Sequence, residues 1–218
     1  GTRVEIKGVP KITMIPLLTH NEAMRQWNLL RLREELKKRG ITPETFQTKD
    51  FDITSLIKKP HYVPLKNAVE NKLKIKCVLL KGFKDLLRWQ TQPDTYFSKE
   101  ISDRLRVIAC LTTIPNMINS DSRTDTITSS EWQKIKKYVE ATEDDSLVIV
   151  WASDDDIQTA VNEIIIRAKE ATIGIPSETR QALSDGTNGF ERILPGADRM
   201  YPDTDLPPKR IEDERRIR

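Results

Sequence analysis

Residues 146–171 read SLVIVWASDDDIQTAVNEIIIRAKEA. The first seven form the most continuous strand candidate in the chain, apolar and rich in β-branched side chains. Ser153 then reads as a helix cap, and Asp154, Asp155 and Asp156 fill the first turn, where the helix dipole favours carboxylates. Ile157, Ala160, Val161, Ile164, Ile165 and Ala168 follow at the spacing of one helix face. A strand running directly into an amphipathic helix predicts a sheet with helices packed on it.

The same texture extends upstream. KIKCVLLK is a second strong strand, FDITSLI and CLTTI are weaker strand candidates, and PLKNAVENK reads as a short helix. In SKEISDRLRVIA, residues Phe97, Ile101, Leu105 and Ile108 mark a helical stripe. TITSSEWQKIKKYVE turns Trp132, Ile135 and Tyr138 or Val139 inward, with Ser129 or Ser130 as its cap. Residues 2–6 alternate as a strand. From Pro16 to Arg39 the period is helical: Leu18, Leu29, Leu32 and Leu36 share one side, Met24, Trp27 and Leu30 widen it, and Gly40 suits the position past the end. Residues 40–51 read as a connector, and the stretch after about residue 172 as loop. The expected class is α+β, built around a two-layer α/β unit with helices on one face of a mixed or antiparallel sheet; element order leaves parallel and antiparallel pairing open. No Gly-rich phosphate loop follows any strand.

Composition narrows the function classes. Of 218 residues, 37% are hydrophobic and 32% charged, a lower apolar and higher charged share than the usual, about 45–50% (counting Gly) and about 25%. Lys+Arg 36 against Asp+Glu 33 gives a net charge of +3 and a pI near 8.8, which permits an RNA partner without requiring one. No apolar run approaches the roughly 18 residues of a spanning helix, and no signal-peptide pattern opens the chain. Cys77 and Cys110 lie in apolar runs and read as two buried free thiols of a reducing compartment, a disulfide being the alternative. His20 and His61 stand alone, without zinc-ligand spacing.

Candidate sites are few. Asp154, Asp155 and Asp156 are better explained by the helix dipole than by a metal. Glu143, Asp144 and Asp145 read as a solvated turn, and Trp132 and Trp151 as packing residues rather than base-stacking platforms. Lys58, Lys59, Lys66, Lys72, Lys74, Lys76, Lys81 and Lys84 crowd one stretch, either a phosphate-facing patch or the wet face of a strand–helix unit. Lys58, Lys59, Lys72 and Lys74 are the nucleic-acid candidates. No nucleophile–base or paired-carboxylate arrangement follows from spacing.

The two ends carry a resemblance. GTRVEIKGV (1–9), followed by EAMRQW, is similar to the cradle domain of the tRNA-dependent amidotransferases, and DRMYPDTDLPP (198–208) is similar to the segment by which their chain returns to that domain. FDITSLI to RAKEA resembles the insertion shared by bacterial aspartyl-tRNA synthetases and the archaeal glutamyl-tRNA(Gln) amidotransferase GatE family. ERILPGADRMYPDTDLPP is closer to GatE than to its bacterial counterpart, which lacks the insertion. The resemblance implies an internal piece of a GatE chain: residues 1–45 part of the cradle, 50–175 the insertion, 186–208 the return to the cradle, and 209–218 the start of a helical domain. It implies ATP and Mg²⁺, an asparaginase-like amidotransferase subunit and tRNA(Gln) as partners, no membrane, and a cytoplasmic location. It places Glu5 as a Mg²⁺ and ATP ligand and Lys7 as a phosphate contact, the alternative for Glu5 being an ordinary strand salt bridge. It leaves most catalytic groups outside this chain, which alone is expected to be inactive. The alternative is a non-catalytic tRNA- or protein-binding module related to the synthetase insertion.

Overall fold

The computed structural model describes residues 4–193; the return motif at 198–208 and the segment 209–218 lie outside the described residues. Two sheets organise the chain. The larger comprises β2 (Thr48–Asp52), β3 (Lys74–Leu80), β7 (Ser146–Ala152) and β6 (Met117–Asn119), in the order β2-β3-β7-β6, antiparallel throughout. The smaller comprises β1 (Val4–Lys7), β8 (Glu178–Ala182) and β9 (Asn188–Ile193). There β8 is central, parallel to β1 and antiparallel to β9. A short hairpin pairs β4 (Gln90–Gln92) with β5 (Thr95–Tyr96). The helices are α1 (Ile15–Lys38), α2 (Val63–Glu70), α3 (Phe97–Val107), α4 (Ser129–Tyr138) and α5 (Ile157–Ile173).

The apolar run of β7 explains the layering. Val148, Val150 and Ala152 point to one side, into a core with Leu29, Leu32 and Leu36 of α1, Ile101 and Leu105 of α3, and Ile164 of α5. Leu147, Ile149 and Trp151 point to the other, into a core with Leu65 of α2, Ile135 of α4 and Val139 just past its end. Successive strand side chains alternate faces, so a strand without polar alternation is one buried on both. The class is α+β, as expected. The expected single helical layer is corrected: helices cover both faces of the larger sheet.

Local chemistry sets the element ends. Gly40, at φ 76°, follows α1, and Ile41 N donates to Leu36 O while Gly40 N donates to Lys37 O. This is a Schellman closure, with Ile41 buried beside Leu36. α4 is capped by Thr128, not by Ser129 or Ser130; its hydroxyl takes the Glu131 N–H while Glu131 takes the Thr128 N–H, a reciprocal capping box. At α5, Ser153 Oγ accepts from Asp156 N and donates to the Asp156 carboxylate at 2.8 Å.

Other expectations shift. The FDITSLI strand begins earlier, at Thr48 inside the expected connector, and Ile53 and Ile57 are buried in the turn that follows. CLTTI is loop, and the strand near it is Met117–Asn119. The stretch after residue 172 contains the β8–β9 hairpin; its alternation was hidden because β8 buries charged Glu178 and Arg180 where apolar residues are expected. On α1, Met24 and Trp27 face outward, Trp27 being 59% exposed.

Candidate functional site

Glu5 and Lys7 are both half-buried and lie on one face of β1, registered with Thr179 and Gln181 of β8. Neither forms an ion pair among the described residues. Among those residues no group of three or more His, Cys, Asp or Glu is placed to hold a metal. Glu5 therefore stands as a single carboxylate on a strand.

Lys58, Lys59, Lys72 and Lys74 belong to the other sheet. All four are exposed. β2 runs antiparallel to β3, so the turn after β2 that carries Lys58 and Lys59 and the start of β3 that carries Lys74 lie at one end of the sheet. Lys72 occupies the tight turn between α2 and β3 at φ 55°. Asp52, at the end of β2, has its carboxyl below its ordinary value because Thr54 donates to it, with smaller help from Lys74 and Lys76. Lys76 is spent on Asp50, at 2.8 Å, and Gln158. The four lysines thus keep their ammonium groups in solvent at one rim, apart from Glu5 and Lys7.

The other singled-out residues are structural. Trp151 is buried in the second core and Trp132 packs against it. Asp145 is not in a solvated turn: it is 8% exposed and accepts from Gly82 N and Thr142 N. The two thiols also differ from the expectation. Cys77 is sealed in the β3 core, where burial pushes its thiol up to about 12, whereas Cys110 is exposed; both are free.

The densest chemistry was not anticipated. Arg25 of α1, Arg104 of α3, Arg167 of α5 and Arg180 of β8 are each at most 1% exposed. Glu100 accepts two hydrogen bonds from Arg25, at 2.7 and 2.9 Å, and further ones from Arg180 and Arg167. Glu178 accepts from Arg25, from Arg180 at 2.7 Å, and from Arg104. Glu170 takes Arg104 at 2.5 Å, Glu163 lies 3.7 Å from it, and Glu22 takes Arg25 at 3.1 Å. Arg180 also donates to Asn188 of β9, Arg104 stacks over Phe190, and Arg167 stacks over Phe97.

Burial opposes the charge on Glu100, but Arg180 and Arg25 outweigh it and hold the carboxyl well below its ordinary value. Arg167 is lowered, chiefly by burial, and its Nε and Nη1 find no partner among the described residues. With Glu100 and Glu178 at 3% and 0% exposure, this hub does not meet a substrate. It ties α1, α3, α5, β8 and β9 together. The signal was present in the sequence: Arg25 lies seven after Leu18 and seven before Leu32, and Arg167 lies seven after Ala160, so each sits on an apolar stripe.

No protein-family model matches the chain. The chain is 39% identical over 219 residues to the GatE protein of the glutamyl-tRNA(Gln) amidotransferase of Pyrococcus furiosus, covering 100% of this chain and 34% of that relative. It is 41% identical over 216 residues to the GatE of Methanocaldococcus jannaschii, covering 98% and 33%, and 38% identical over 215 residues to that of Pyrococcus horikoshii, covering 98% and 33%. The chain spans about a third of the length of the curated relatives it matches. Over this segment it belongs to the archaeal glutamyl-tRNA(Gln) amidotransferase GatE family.

Proposed function

We propose that this segment serves a protein that converts glutamyl-tRNA(Gln) into glutaminyl-tRNA(Gln). The observation that carries the reading is the identity of 38–41% along essentially the whole chain to proteins of that name. In the proposed reaction the glutamyl carboxylate attacks the γ-phosphorus of ATP, giving an acyl phosphate and ADP. Ammonia then attacks the acyl carbon and expels phosphate. A carboxylate is a poor acyl donor, and phosphorylation supplies the leaving group it lacks. The ammonia comes from an asparaginase-like amidotransferase subunit, and the reaction takes place in the cytoplasm. No helix among the described residues is long and apolar enough to cross a membrane.

The sheet in which β8 joins β1 to β9 supports the division in which residues 1–45 and 186–208 are parts of one cradle, 50–175 is an insertion and 209–218 opens a further domain. Lys58, Lys59, Lys72 and Lys74 hold tRNA(Gln) by its phosphates, which their exposure and sparse pairing support. Mg²⁺ keeps several waters and takes only one or two protein carboxylates, so a lone Glu5 fits as one ligand, the others lying outside the described residues. Lys7, on the same face, suits a phosphate oxygen. Mg²⁺, when bound, neutralises charge on the ATP phosphates; this chain's part is to present Glu5 and Lys7 side by side on a paired strand.

The test is amidation of glutamyl-tRNA(Gln) by the full-length protein together with its asparaginase-like partner, with ATP, Mg²⁺ and an amide donor. ATP-dependent formation of glutaminyl-tRNA(Gln) is expected. Binding of the tRNA without amidation would leave only the binding-module reading. The 218-residue chain alone is expected to hydrolyse no ATP in the presence of glutamyl-tRNA.

A further inference from the structure

A second basic site lies away from the four lysines. Between the short 3-10 turn Leu86–Arg88, the start of α3 and the loop leaving β6 is a cavity of about 330 Å³. Arg88, Tyr96 and Ser98 line one side, and Ser122, Arg123 and Thr124 the other. Among the described residues no carboxylate lines it. Arg123 is exposed and in no ion pair among the described residues, and Arg88 has only a long contact, 3.3 Å, to exposed Asp85.

The loop is built to face this way. Asp121 turns inward, accepting from Ser146 Oγ at 2.7 Å and Leu87 N at 3.1 Å. Asn119 Oδ1 accepts from Asp121 N, and Ser122 Oγ accepts from Thr124 N. Of the loop's two acids, Asp121 is thereby withdrawn from the cavity, and Asp125, which is exposed, is not in its lining. The hydroxyls of Tyr96, Ser98 and Thr124 have no protein partner among the described residues, and Tyr96 is 45% exposed.

Two guanidiniums, free hydroxyls and an exposed aromatic ring, with no acid in the lining, match a phosphate carrying a sugar and a base. Arginine meets phosphate oxygens in a fork, hydroxyls reach phosphate or ribose, and a tyrosine ring stacks a base. The volume lies at the lower end of the range for small-ligand sites, about 300–1,000 Å³, enough for one nucleotide. We infer that this cavity receives one nucleotide of an RNA strand, its phosphate held by Arg88 and Arg123 and its base against Tyr96. The inference rests on the proposed tRNA reading and adds to it a second contact.

The experiment measures tRNA(Gln) transcript binding to the full-length protein by filter retention across a salt series. The variants are Arg88→Ala/Arg123→Ala, Tyr96→Ala, Tyr96→Phe, and the quadruple alanine variant of Lys58, Lys59, Lys72 and Lys74. The arginine pair is expected to lose about tenfold or more in affinity, with the log–log salt slope shallower by roughly one for each phosphate contact removed. Tyr96→Ala is expected to weaken binding and Tyr96→Phe to retain it. An arginine-pair variant that binds within twofold of the parent, with an unchanged slope, overturns the inference. If the lysine variant weakens in that same series, the tRNA reading survives; if the parent binds no tRNA at low salt, both fall. Competition by inorganic phosphate beyond its ionic-strength effect would assign the cavity to the free anion instead.

Discussion

Among the described residues, the buried arginine hub and the lysine rim both concentrate basic side chains, and they differ in exposure and in pairing. In the hub, Arg25, Arg104, Arg167 and Arg180 are sealed from water and matched by glutamates from α1, α3, α5 and β8. At the rim, Lys58, Lys59, Lys72 and Lys74 are exposed, and Lys76 already holds the Asp50 carboxylate. A buried charge carries a desolvation cost of several kcal/mol that only near-complete pairing offsets, so the hub can hold elements together but cannot release a cation to a ligand. An exposed, unpaired ammonium contributes little to stability and is available for a phosphate.

The sharpest way to break this comparison is to unpair the hub. Glu100→Gln leaves Arg25, Arg180 and Arg167 without their shared carboxylate and should destabilise the fold by about 3–5 kcal/mol in denaturant melts. A loss below about 1 kcal/mol would show the hub to be dispensable.

Acid is the next test. The Glu100 carboxyl is held below its ordinary value of 4.5, so its stabilisation is complete above that pH and is lost as pH falls from there through the lower folded value. Asp121 and Glu163, both raised chiefly by burial, act with the opposite sign, easing as they protonate. The parent should lose stability steeply below about pH 4.5. Glu100→Gln, already weaker, should show a shallower acid limb; an identical limb would mean that Glu100 does not set it.

At the rim the expectation reverses. The quadruple lysine-to-alanine variant should keep its melting temperature and lose tRNA affinity. A variant that melts early but binds tRNA normally would exchange the roles of the two regions. The smallest effect concerns the thiols: a thiol reagent on the native protein should label Cys110 quickly and leave Cys77, buried and pushed up to about 12, until unfolding.

The sequence made the strong elements legible where one physical signal dominated. β3, β7 and α5 have unbroken apolar runs or stripes, and Gly40 marks the end of α1. The second helical layer was harder to see, because a strand buried on both faces reads the same whether helices cover one side or two. β8 was hidden because Glu178 and Arg180 are buried through one another, and a partner in space leaves no local period. The hub was hidden for the same reason: Arg25 and Glu100 are 75 residues apart. Exposure, too, is a tertiary property. Cys110, in an apolar run, faces solvent, and Asp145, in an acidic turn, does not. Of the candidate site, the sequence supplied the lysines, Glu5 and Lys7, while the cavity at Arg88 and Arg123 needed the loop after β6 to be folded before its two sides could meet.

The most direct measurement is the salt dependence of tRNA(Gln) affinity for the full-length protein, compared between the parent and the quadruple lysine variant. The account predicts weaker binding at every salt concentration and a slope shallower by roughly one for each lysine that meets a phosphate. Equal affinities and parallel slopes would contradict the proposal that the exposed lysine rim, and not the buried hub, contacts tRNA phosphates.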